Sequence, residues 1–163
     1  MLSLGIDPGT AIIGYGLVQE NNDGTLHNVA HGVIRTTPDM AMPLRLKAIY
    51  DQVTELVALY RPDHAAVEEL FFARNVTTAL TVAQGRGVIL LALQNADVPI
   101  AEYKPNEVKM SVTGYGNAKK PQMQEMVRML LGLNEIPKPD DAADALAIAI
   151  TNIHNSRYNS LLD

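Results

Sequence analysis

Four carboxylates stand out by their places in the sequence: Asp7, Glu68, Asp141 and Asp144. Asp7 follows the apolar positions Leu2, Leu4 and Ile6 and opens Asp7-Pro8-Gly9-Thr10, the pattern of a buried strand entering a tight turn. Glu68 lies in a second apolar run, His64-Ala65-Ala66-Val67-Glu68-Glu69-Leu70-Phe71-Phe72. Asp141 and Asp144 are three residues apart, which puts both on one face of a helix in its first turn. Each acid has a plain use of its own. Asp7 can bond its own turn, and Glu68 can sit at an exposed strand end. Asp140 can cap the last helix, and Asp141 can gain roughly 0.3–1 kcal/mol from its dipole. None of these uses calls for Asp144 on a face otherwise made of alanine, leucine and isoleucine. A half-buried acid there is costly unless it is paired or bound to a metal.

If the four acids converge they repel one another, and at least one carboxyl should have a raised pKa. No cluster of Arg or Lys sits beside them in the sequence to neutralise them. A hard divalent cation would, because Mg²⁺ takes oxygen ligands, keeps several waters and partners phosphate. Two such ions about 4 Å apart can activate a water and stabilise the leaving oxygen of a phosphodiester.

The elements that would carry these acids can be read in order. Strands are expected at 2–7, from Ile12 to Gln19 and at 26–35, with Asn21-Asn22-Asp23-Gly24 as a turn. This gives three antiparallel strands in succession. Pro43 fits the first turn of a helix, continued by Leu46, Ile49, Val53, Leu56, Val57 and Tyr60 at helical spacing. The strand that follows reads as a crossover, parallel to an earlier one. If it lies beside the first strand, Glu68 and Asp7 emerge at the same carboxyl-end edge, where such sheets place ligands.

A second long helix is expected over 77–95, apolar almost all round from Val88 to Leu93 and interrupted by Gly85 and Gly87. Those glycines cost roughly 1 kcal/mol each unless a backbone must approach closely. Burial within the chain or against a symmetry mate would explain both features. A fifth strand at 98–103 precedes a helix through Val112 and a loop, Thr113-Gly114-Tyr115-Gly116-Asn117. A further helix from Lys119 carries Met123, Met126, Val127, Leu130 and Leu131, a methionine-rich stripe read as core. Pro137-Lys138-Pro139 leads into a last helix over 140–148.

The 163 residues suit one domain, 1–163, with no repeat, linker or boundary in view. Hydrophobic residues make up 47% and charged residues 19%, which excludes a disordered chain. With no cysteine, disulfide frameworks and thiolate metal sites are excluded, and a reducing cytoplasm is compatible. No basic leader and no apolar run of transmembrane length is evident, so neither export nor a membrane is expected. The net charge of −5 is unlike the basic footprint of a nucleic-acid binder. However, Arg74, Arg86, Lys104, Lys109, Lys119 and Lys120 gather in the middle segment.

Together the segments GIDPGTAIIGYG, AVEELFFARN, AQGRG and DDAADALAIAI resemble the RuvC family of bacterial Holliday-junction resolvases, collinearly from Leu4 to about His154. The resemblance implies an α/β, ribonuclease-H-like fold: a mixed five-stranded sheet, first three strands antiparallel, flanked by helices. It implies a homodimeric endonuclease, dependent on Mg²⁺ or Mn²⁺, that nicks opposing strands of four-way DNA junctions symmetrically during recombination and repair. Two ions per site and the RuvA–RuvB branch-migration complex as partner are implied as well. By the same resemblance Asp7, Glu68, Asp141 and Asp144 are the metal-binding, catalytic acids, with Asp144 standing where some members have histidine. Phe71 matches an aromatic that stacks on a base, worth about 1–3 kcal/mol, while Phe72 should face the opposite side of an extended segment. Arg74, Lys109 and Lys120 match basic positions facing phosphates, which would make binding salt-dependent. The helix holding Gly85 and Gly87 matches the dimer interface. His64 and His154 carry no role.

Three other readings compete. Asp7-Pro8-Gly9-Thr10 is similar to the phosphate loop of the actin, Hsp70 and sugar-kinase class, but those proteins close two such domains over a nucleotide. A ribonuclease-H-like nuclease of ribosomal RNA precursors shares fold and first motif. A silent scaffold would gain stability by losing the acids' repulsion.

Overall fold

The computed structural model describes residues 1–70 and 76–160, with side chains to Arg157. The expectations for Phe71, Phe72 and Arg74 lie outside the described residues.

The strands are β1 (Leu2–Asp7), β2 (Ile12–Glu20), β3 (Leu26–Arg35), β4 (His64–Glu68) and β5 (Ile100–Tyr103). The helices are α1 (Met42–Tyr60), α2 (Val76–Asn95), α3 (Pro105–Thr113), α4 (Lys120–Leu130) and α5 (Asp140–Ser160). One sheet runs in the order β3-β2-β1-β4-β5. Its first three strands are antiparallel, and β1, β4 and β5 are parallel. This is the expected mixed sheet. The differences are at ends. β4 stops at Glu68, and β5 begins after Pro99, which has no N–H to give a ladder. The last helix continues well past 148, to Ser160.

Each strand presents alternate residues to opposite faces. One face offers Leu4, Ile6, Ile13, Leu17, Ile34 and Val67, which pack under Ile49, Val53 and Val57 of α1 and Ile89, Ala92 and Leu93 of α2. The other face is covered by α3, α4 and α5, with Met123, Val127 and Leu146 in its core. The methionine stripe is therefore core, as expected.

On this second face the strands offer little bulk, and α5 lies directly on the backbone. A Cβ added at Gly5 would collide with the Ala145 carbonyl oxygen, and one at Gly14 with the Asp141 carbonyl oxygen. Buried alanines at 142, 143, 145, 147 and 149 answer from the helix. Further along α5, Asn152 donates to Ser3 Oγ at 3.0 Å and accepts from the Tyr103 hydroxyl at 3.1 Å. These bonds fix α5 lengthwise against the sheet.

α2 corrects two expectations. A stretch of 18 of its 20 residues has mean hydropathy 1.5, long and apolar enough to cross a membrane by length and composition, whereas no such run was expected. Its inner face nevertheless packs on the sheet and α1, and Arg86 in mid-helix pairs with Glu102. Gly85 faces inward, against the Gly9 carbonyl of its own chain, while Gly87 meets nothing within 4 Å. Only Gly87 is therefore free for a face between copies.

Candidate active site

Alternation along β1 sends Leu4 and Ile6 to the α1–α2 face and Ser3, Gly5 and Asp7 to the α5 face. Along β4, Ala66 and Glu68 turn the same way. Ile6 is paired with Val67 across the parallel strands, so Asp7 and Glu68, one residue further on each, emerge side by side at the carboxyl end. On α5, Asp144 is one turn beyond the contact of Asp141 with Gly14. The close approach of helix and sheet thus brings it over the two strand ends.

Asp7, Glu68 and Asp144 line one cleft of about 270 Å³, together with Pro105, Val108 and Lys109 of α3, Lys120 and Met123 of α4, and Ala147 of α5. Asp141 does not line the cleft, although its negative charge reaches Asp7 and Asp144. Lys109 and Lys120 are both brought to the acids. Phe71 and Arg74 fall outside the described residues.

Three of the carboxyls, those of Asp7, Glu68 and Asp144, are raised above their ordinary pKa. Burial, then the charges of Glu68, Asp144 and Asp141, push Asp7 up to about 8, opposed by Lys120. Burial and Asp144 push Glu68 to about 7, opposed by Lys109. Asp144 is raised by burial against the pull of Lys120. The Lys120 ammonium lies 3.2 Å from Asp144 and 3.3 Å from Asp140. Burial favours its neutral form, but these acids outweigh that and raise its pKa.

Three of the four expected acids share the cleft, and Asp141 does not. A raised pKa, expected of at least one carboxyl, is present at Asp7, Glu68 and Asp144. No basic cluster adjoins the acids in sequence, but Lys109 and Lys120, expected to face phosphates, come from elements distant in sequence and reach the acids once α3 and α4 fold over the strand ends. Among the described residues, no group of three or more His, Cys, Asp or Glu side chains is gathered closely enough to hold a metal ion. The donor chemistry still suits a hard cation. The cleft offers only carboxylate ligands, desolvated and repelling, and carries no imidazole or thiolate. His154 is half-buried against Ser111 and is not part of the cleft.

The family profile described as "Crossover junction endodeoxyribonuclease RuvC" matches residues 3–152. The chain belongs to that family. It is 56% identical over 155 residues to the RuvC crossover junction endodeoxyribonuclease of Heliobacterium modesticaldum, covering 95% of each chain. It is 55% identical over 161 residues to that of Brevibacillus brevis, covering 99% of this chain and 96% of the relative. The Thermus thermophilus RuvC structure superposes with a TM-score of 0.91 at 37% identity, over 98% of this chain and 97% of that one. The same protein in complex with a Holliday junction substrate gives 0.89 at 35%, over 97% and 96%. The yeast mitochondrial resolvase Ydc2, at 17% identity and TM-score 0.69, shares the fold. As a RuvC family member the chain is a crossover junction endodeoxyribonuclease, and an ATP-binding protein of the actin, Hsp70 and sugar-kinase class or a silent scaffold no longer competes.

Proposed function

We propose that this RuvC family chain, as a single domain, cuts four-way DNA junctions by hydrolysing one phosphodiester on each of two opposing strands. The supporting observation is the placement of Asp7 and Glu68 side by side at the ends of parallel strands, facing Asp144 across one cleft. Asp7, Glu68, Asp141 and Asp144 would hold Mg²⁺ or Mn²⁺, two ions per site. When bound, such ions activate a water and stabilise the departing oxygen.

The chain's own residues prepare that chemistry. Burial beside α5 removes water from the carboxyls, which sharpens their need for a cation. Lys109 and Lys120 border the acids and supply positive charge for a phosphate that the acids alone would repel. Phe71, by stacking on a base, and Arg74, by meeting a phosphate, would add to DNA binding.

Symmetric nicking requires two sites, and α2 offers the surface to pair them. Val76, Leu80 and Leu91 are 67%, 62% and 53% exposed. With exposed Ala83 and Gly87 they form one stripe at helical spacing. Two copies joined there would form the homodimer, working with RuvA–RuvB in the cytoplasm.

A gel assay on a synthetic four-way junction tests the reading. Paired symmetric nicks should need both Mg²⁺ and Asp7. Binding without cleavage in any divalent ion, or equal cutting of linear duplex, would overturn it.

A further inference from the structure

Arg86 is the sole charged residue of α2 and lies between two glycines. Its side chain is only 17% exposed. Nε donates to the main-chain carbonyl oxygen of Glu68 at 3.0 Å, while Nη2 pairs with Glu102. Glu102 is on β5, opposite Val67 of β4, and Glu68 is opposite Tyr103. The Glu69 N–H closes the same corner by donating to the Tyr103 carbonyl at 2.8 Å. One guanidinium therefore ties the end of β4 to α2 and to the edge strand.

The preceding residue reaches the other acid-bearing strand. Gly85 has no room for a Cβ because the Gly9 carbonyl fills that space, with Thr10 Cγ2 only 3.3 Å from where the Cβ would be. Gly9 and Thr10 form the turn that follows Asp7. Two consecutive residues of one helix thus brace the exits of β1 and β4.

We propose that Gly85-Arg86 is a clamp that sets the spacing of the Asp7 and Glu68 carboxylates, with Arg86 as a positioning residue for Glu68. The inference rests on the proposed role of Glu68 as a cation ligand. Arg86 acts through the peptide, not through its charge. Its bond goes to the carbonyl of Glu68, leaving the carboxylate free, and Glu102 engages its positive charge. Lysine cannot replace it, because a single ammonium lacks the rigid fork that reaches two acceptors in different directions.

The test is calorimetric titration of the full-length protein with Mn²⁺, without DNA, for wild type, Arg86→Lys, Glu102→Gln and Glu68→Gln. Arg86→Lys should weaken Mn²⁺ binding by about tenfold or more, as loss of a partner that orients a metal ligand does. Glu102→Gln should weaken it less, by a few fold, and junction binding in EDTA should be unchanged in both. Wild-type Mn²⁺ affinity in both variants, with only a lower melting temperature, would make Arg86 a merely structural residue and end the proposal. If Arg86→Lys does not fold, Glu102→Gln decides by the same criterion. Wild-type affinity in Glu68→Gln would remove the ligand role of Glu68 and the clamp with it. Loss in Glu68→Gln alone would remove only the clamp.

Discussion

The two faces of the sheet are built on opposite principles. Toward α1 and α2 the strands present leucine, isoleucine and valine, and the face is held by apolar bulk. Toward α5 they present mostly small residues, Gly5, Gly14, Gly16, Ser3 and Ala66, with Val18 and two acids, and the helix rests on backbone. Bulk stabilises but keeps backbones apart. Small residues forgo that burial and allow a helix to bring Asp144 within reach of two strand ends. The α5 face has an apolar core of its own between the helices and the sheet, but its buried, repelling carboxyls are a cost that the α1–α2 face does not carry.

That contrast can be broken by substitution. Asp7→Asn should have the largest effect, abolishing junction cleavage in a gel assay while leaving junction binding in EDTA intact. It should also stabilise the metal-free protein. The Asp7 carboxyl is raised from 3.8 to about 8 on folding. Below pH 3.8 both states are protonated and nothing is lost. Between the two values the unfolded chain ionises while the folded one keeps its proton, so stability falls as pH rises, by up to about 1.4 kcal/mol per pH unit. Urea melts of the metal-free protein across pH 4–8 should show this slope, and Asp7→Asn should reduce it. A slope that Asp7→Asn leaves unchanged would put the cost elsewhere.

Next in size is a pair of core changes. Gly5→Ala adds one carbon where the Ala145 carbonyl already sits, and Ile89→Ala deletes three carbons from the bulky face. Deletion should cost about 2–5 kcal/mol. The single added methyl should cost at least as much, because it strikes backbone that cannot rotate away. Gly5→Ala should also cut cleavage in the surviving folded fraction, whereas Ile89→Ala should not. Urea midpoints and single-turnover cleavage of the two variants would show whether the faces differ in this way.

Lys120→Ala should have the smallest effect on stability. Half exposed, its pairs with Asp140 and Asp144 should move stability by less than about 1 kcal/mol. Junction affinity should fall, and its dependence on log salt should flatten by about one unit, if Lys120 faces a phosphate. An unchanged salt slope would confine Lys120 to balancing the acids.

Much of this was legible before folding. The apolar runs gave the strands, and an acid at the end of each of two parallel candidates located the edge where a site could form. Asp144 announced itself by being out of place on an apolar face. Three things were not legible, for one physical reason: each depends on contacts between elements far apart in sequence. Lys109 and Lys120, expected to face phosphates, look remote from the acids until α3 and α4 close over them. Gly85 reads as a cost or as a close backbone approach, and only the fold shows that the backbone is that of Gly9. Arg86 reads as one of several basic residues in the middle segment until Glu68 and Glu102 flank it. Asp141 shows the reverse, since helical spacing put it with Asp144, yet it contributes its charge to the cleft without lining it.

The proposed function requires that the acids on the α5 face be held together at a cost that a divalent cation relieves. The direct measurement is urea unfolding of wild type and Asp7→Asn at neutral pH, each in EDTA and in Mg²⁺. Asp7→Asn should be the more stable protein in EDTA. In Mg²⁺ wild type should gain stability by binding and Asp7→Asn should gain little. Wild type at least as stable as Asp7→Asn in EDTA, with no response to Mg²⁺, would contradict the account.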